Sequence, residues 1–76
     1  MKKQYKLLEV VALAEDLPKH KLVKGQVGTI VEILSDKEYE VEFCNDKGVS
    51  YALLPLQAEQ LIRLHFNISK RKRIYA

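Results

Sequence analysis

Residues 24–43, KGQVGTIVEILSDKEYEVEF, carry two apolar alternations on either side of a short polar break, with two glycines opening the first of them. Alternation with a period of two is the mark of a strand buried on one face, and a break this short joins two such strands as a tight hairpin. Residues 39–44 alternate most cleanly: Tyr39, Val41 and Phe43 point one way, and Glu40 and Glu42 the other. One side of that strand is core and the other acidic.

The same pattern extends along the chain. Residues 7–14 also satisfy helical spacing through Leu7, Val10, Val11 and Ala14, but the adjacent β-branched Val10 and Val11 favour a strand. Residues 15–24, with Pro18 and several charges, read as a long loop. Gly25 and Gly28 bracket the start of the second strand, residues 26–34, where glycine permits a bulge or a close crossing of strands. Turns are predicted at 35–38 and 45–48, the latter with Gly48 suited to positive φ. Residues 49–54 form a fourth strand that Pro55 ends, because proline cannot donate to a ladder. A single helical turn over 56–60 and a last strand over 61–66 complete the pattern. It predicts an all-β protein, a five-stranded SH3-like small barrel with one short helical turn before the last strand. Val27, Val31, Val41, Phe43, Tyr51, Leu53 and Leu61 form the expected core, and a bulge near Gly28 would exchange the faces of Ile30 and Val31.

Outside residues 7–66 the pattern changes. Residues 1–6 form a basic N-terminal arm with Lys2, Lys3 and Lys6, and residues 67–76 a basic C-terminal tail with Lys70, Arg71, Lys72 and Arg73. The net charge of +3 hides this segregation, because residues 7–66 carry six basic side chains against ten acidic ones, a balance of −4. An acidic body lies between two basic arms.

With 76 residues the chain is one domain. A domain this small buries only about 60% of the surface its unfolded form exposes, which leaves no room for both a core and a deep catalytic cleft. Cys44 is the only cysteine, so there is no internal disulfide and no CxxC, which fits a reducing, cytoplasmic setting. Ala12-Leu13-Ala14 has the form of a signal-peptidase site, but Glu9 interrupts the short apolar run before it. No apolar run approaches the roughly 20 residues that span a bilayer, so no membrane partner is expected.

The candidate chemistry is sparse. Cys44, Ser35, Ser50 and Ser69 are the nucleophiles and His20 and His65 the bases, with no nucleophile-elbow motif around any of them. No carboxylate or thiol stands at a spacing that would join the two histidines as metal ligands. Gly25 and Gly28 after Lys24 suggest a phosphate loop, but a strand-like VGTIVEIL follows where such a loop needs a helix. No catalytic residue, cofactor, metal or small-molecule substrate is therefore expected, and the chain reads as non-enzymatic. Two surfaces remain. Glu32, Glu38, Glu40 and Glu42 are candidates for a protein-binding face, and Lys70, Arg71, Lys72 and Arg73 for contact with a polyanion.

VKGQVGTIVEIL, residues 23–34, is similar to the KOW motif of ribosomal proteins and transcription elongation factors, in which a glycine turn opens a strand of an SH3-like barrel that often binds RNA. Where many nucleic-acid-binding versions are basic, this chain places Glu32, Glu38, Glu40 and Glu42, and a like-charged face repels phosphate. Over roughly residues 7–66, LLEVVALAEDLP, KGQVGTIVEIL, YEVEF and YALLPLQAEQL resemble a family of small, mostly stand-alone bacterial proteins known only as a domain of unknown function. The resemblance implies genes set beside other small uncharacterised ones, as toxin–antitoxin pairs are. The expectation is a non-catalytic module that binds another protein, as the neutralising, antitoxin-like partner of a small bacterial protein. The alternative is a nucleic-acid-binding accessory protein that acts through its basic arms.

Overall fold

A computed structural model describes residues 4–64. Its strands are β1 (Val10–Leu13), β2 (Val27–Ile33), β3 (Glu38–Cys44), β4 (Ser50–Gln57) and β5 (Leu61–Arg63), all antiparallel in one sheet of order β4-β3-β2-β1-β5. The expected all-β fold with five strands is present, and the turn before the last strand is a 3₁₀ turn over Ala58–Gln60. No ladder joins β4 to β5, so the curled sheet stays open at that seam.

One face of the sheet holds the core. Ile30, Val41 and Leu54 are opposed across β2, β3 and β4, and Tyr39 and Leu56 form the next row, with their β2 partner Ile33 at the exposed rim. With Val11, Leu13, Leu22, Phe43 and Leu61 they supply most of the buried apolar volume. Gly28 makes this packing possible, since a Cβ there would stand 2.8 Å from Val41 Cγ1 and 2.9 Å from Phe43 Cε2. Its role is the close approach of β2 to β3 side chains rather than unusual backbone torsion.

Several expectations are corrected. The first strand begins only at Val10, because residues 6–9 close a turn in which Lys6 N donates to Glu9 Oε1 at 2.8 Å and Leu8 takes φ 68°. The loop over 15–24 contains a 3₁₀ turn, Pro18–His20, clipped by a Leu17–Leu22 bridge that drops Leu22 into the core. β4 does not end at Pro55 but runs on to Gln57. It is an edge strand, so alternate N–H groups face away from β3 and a proline there forfeits no ladder bond.

That continuation sets the strand's phase: Leu54 and Leu56 are buried, while Tyr51 and Leu53, expected in the core, are 49% and 55% exposed. Val27 is exposed as well, because its partner in β1 is Ala12, on the opposite face from Val11 and Leu13. Val31 is only half-buried, since the β2–β3 register shifts between Ile30 and Glu32, and Ile30 takes the interior position instead. Val41, Phe43 and Leu61 are buried as expected. The sheet also buries Tyr5, which the hydrophobic pattern leaves in the N-terminal arm.

Candidate functional site

The strand order brings the acidic residues together on the face away from the core. Glu40 lies between Glu32 on β2 and Pro55 on β4, Glu42 between Thr29 and Leu53, and Glu38 beside Gln57. Glu32 is exposed, and Glu38, Glu40 and Glu42 are half-buried by their neighbours. Among the described residues none of these four carboxylates has an ion-pair partner. Four unpaired carboxylates on one sheet surface make a negative potential that extends about a Debye length, roughly 8 Å at physiological salt.

The same surface has an apolar half. Val27, Ala12 and Ile62 form one row across β2, β1 and β5, with Val27 50% and Ile62 42% exposed. Leu53 stands on the other flank, next to Glu42. Leu53 thus adjoins the acidic row directly and Val27 stands diagonally from Glu42, with Ile62 further over on the same face beyond β2 and β1; the sequence pattern places Val27 and Leu53 in the core and leaves Ile62 unassigned. The missed signal was Pro55: read as a terminator rather than an edge residue, it hid the phase of β4 and with it the outward position of Leu53.

An open groove of about 930 Å³ lies beside residues 4–9. Several of its polar groups fasten the N-terminal segment to the sheet. Tyr5 Oη donates to the Leu61 carbonyl at 3.0 Å, Tyr5 N donates to Tyr39 Oη at 3.2 Å, and the two rings meet edge to face at 5.4 Å. Arg63 lies 4.9 Å over the Tyr5 ring, pairs with Glu9 at 2.7 Å and donates to the Gln4 carbonyl. Burial raises the Tyr5 phenol above its ordinary value, with the Arg63 charge opposing the shift. Tyr5, Tyr39, Glu9 and Arg63 thus form a packed aromatic–cation clasp along the groove.

Cys44 is exposed at the end of β3 and His20 on the loop turn. Ser35 Oγ accepts from Lys37 N at 3.1 Å, an ordinary turn contact. Among the described residues no group of three or more His, Cys, Asp or Glu side chains stands close enough to hold a metal ion, and no helix is long and apolar enough to cross a membrane. Lys70, Arg71, Lys72 and Arg73, like His65 and Ser69, lie outside the described residues.

The model of a domain of unknown function, DUF4926, matches residues 7–63. The chain belongs to that family. The match covers all five strands and both 3₁₀ turns. No curated protein and no solved structure matches the chain.

Proposed function

We propose that this chain is a non-catalytic, SH3-like protein-binding module of the cytoplasm, and that it binds a basic partner through the sheet face carrying Glu32, Glu38, Glu40 and Glu42. The observation that carries the reading is the conjunction on that face. Among the described residues the unpaired carboxylates share that face with exposed Val27, Leu53 and Ile62, and Leu53 stands directly beside Glu42. Apolar contact on the flanks of the acidic row supplies affinity, and the charges between supply steering and register. The neutralising role implied by the family resemblance is one form of this: an acidic and apolar face occupies a basic cleft that would otherwise hold a nucleic acid or another anion.

The test is retention of a protein by the full chain at native expression, in a nuclease-treated lysate of its own host. The expected result is one basic protein recovered near equal stoichiometry, with recovery falling as salt rises. Recovery of nucleic acid before nuclease treatment and of no stoichiometric protein after it would favour binding through the arms and overturn this reading.

A further inference from the structure

The acidic face has a complement within the same chain. Residues 65–76, HFNISKRKRIYA, lie outside the described residues and carry Lys70, Arg71, Lys72 and Arg73 with no acidic side chain among them. Their order is apolar, basic, apolar: Phe66 and Ile68 precede the four cations, and Ile74 and Tyr75 follow them. The outer face of the sheet, taken across its strands from β5, has the same order with the charge reversed. Exposed Ile62 on β5 and Val27 on β2 come first, then Glu32, Glu40 and Glu42 on β2 and β3, and last exposed Leu53 on β4. Among the described residues those carboxylates have no ion-pair partner.

The topology puts the two within reach of each other. β5 and β2 are both antiparallel to β1, so the chain leaves β5 heading toward the end of the sheet where Glu32 meets Glu40. That exit is anchored, because Arg63 pairs with Glu9 and donates to the Gln4 carbonyl. Three strand spacings separate β5 from β3, about 14 Å along a flat sheet and somewhat more around a curled one. Residues 70–73 follow Leu64 by six to nine positions, an extended reach of about 20–30 Å.

We propose that residues 65–76 dock on the outer face of their own sheet, with the cations of residues 70–73 on the acidic row and Ile74 and Tyr75 against Leu53, and that a basic partner must displace them. Single exposed ion pairs contribute little. A short tether, however, holds the segment at an effective concentration on the order of millimolar, so several weak contacts made together suffice. The apolar blocks at either end give the docked segment its direction, and the charges make it salt-sensitive. The proposal rests on the acidic-face reading, which it deepens by naming what competes for that face. The partner's apparent affinity falls in proportion to the fraction of chains whose face is uncovered.

The test is paramagnetic attenuation of backbone amide signals in the full chain, with a nitroxide on Ala76→Cys and Cys44→Ser leaving it the one thiol. The expected result is a loss of intensity at the Glu40, Glu42 and Leu53 amides at low salt, recovered as salt rises. Lys70→Gln, Arg71→Gln, Lys72→Gln and Arg73→Gln together should abolish the loss, and they alter no residue of the five strands. The same four changes should let the full chain retain several-fold more of its basic partner from nuclease-treated lysate. Unchanged intensities at low salt, or a loss that the four glutamines leave in place, would overturn the proposal. So would an equal loss when nitroxide and isotope label are on different copies, because the docked segment would then come from a second copy. A lysate that yields no basic partner would overturn the acidic-face reading instead, and the attenuation would still decide the docking.

Discussion

Glu32 on β2 and Glu40 on β3 are direct partners across the antiparallel ladder, so two carboxylates face each other on one sheet surface. Like charges in that position are destabilising, by about as much as an opposite-charge pair stabilises, roughly 0.2–1 kcal/mol. The fold tolerates this pair without a cation between them among the described residues. Glu32→Lys should therefore raise stability by about 0.5 kcal/mol at low salt, with the gain shrinking as salt rises. Denaturant midpoints at two ionic strengths check this, and a loss of stability would show that the two side chains do not meet.

Phe43 is fully buried where the β3 side chains close over Gly28. Phe43→Ala should cost about 3–5 kcal/mol, a large share of the stability of so small a domain. An almost unchanged thermal midpoint would mean that β3 is oriented the other way about.

Gly28→Ala is the complementary change. Its Cβ would meet Val41 and Phe43 inside 3.0 Å, so the core must open, at a cost of about 1–3 kcal/mol. The backbone at this position is not in the left-handed region, and glycine is needed there only for space. Combining Gly28→Ala with Val41→Ala should cost less than the sum of the two single changes, because the second removes the nearest obstacle.

Tyr5 couples stability to alkaline pH. Its phenol is raised above the ordinary 10.0, first by burial, then by the neighbouring Glu9 and Tyr39, against the lowering effect of Arg63. The folded state thus holds the proton more tightly than the unfolded one. The resulting stability is fully present below about pH 10 and is lost as pH rises through the folded value. Tyr5→Phe should remove that alkaline dependence, and at neutral pH should cost about 0.5–1.5 kcal/mol for the hydrogen bond to Leu61. Stability curves of the two proteins that stay parallel above pH 10 would contradict this.

Much of the architecture is legible in the sequence, where the alternation of β3 places Tyr39, Val41 and Phe43 inside and Glu40 and Glu42 outside. Legibility fails where a single residue shifts the phase. The β2–β3 register slips after Ile30, which carries Ile30 inward and leaves Val31 half-buried. Residues 49–54, read alone, put Tyr51 and Leu53 inside, whereas Pro55 within the strand and the irregularity opposite Phe43 and Cys44 set Leu54 and Leu56 inside. Tyr5 was unreadable for a different reason: its burial depends on Tyr39, Leu61 and Arg63, 34 to 58 positions away, and no local periodicity encodes a contact of that range. For the candidate site, the acidic row is visible in the sequence. Its apolar border is not, because Val27 and Leu53 carry the same signature as core residues until the pairing of β1 with β2 and of β3 with β4 is known.

The most direct measurement compares the full chain with Glu40→Lys combined with Glu42→Lys, each at native expression in nuclease-treated lysate, with the retained proteins quantified by mass spectrometry. Both side chains point away from the core, so the circular dichroism spectrum should not change. If the acidic face is the recognition surface, one basic protein is retained near equal stoichiometry by the wild type and about tenfold less by the variant, because reversing charges beside an apolar contact slows association and opposes like charges in the complex. Equal retention on both, or no stoichiometric protein on the wild type, would contradict the assignment of this face to a protein partner.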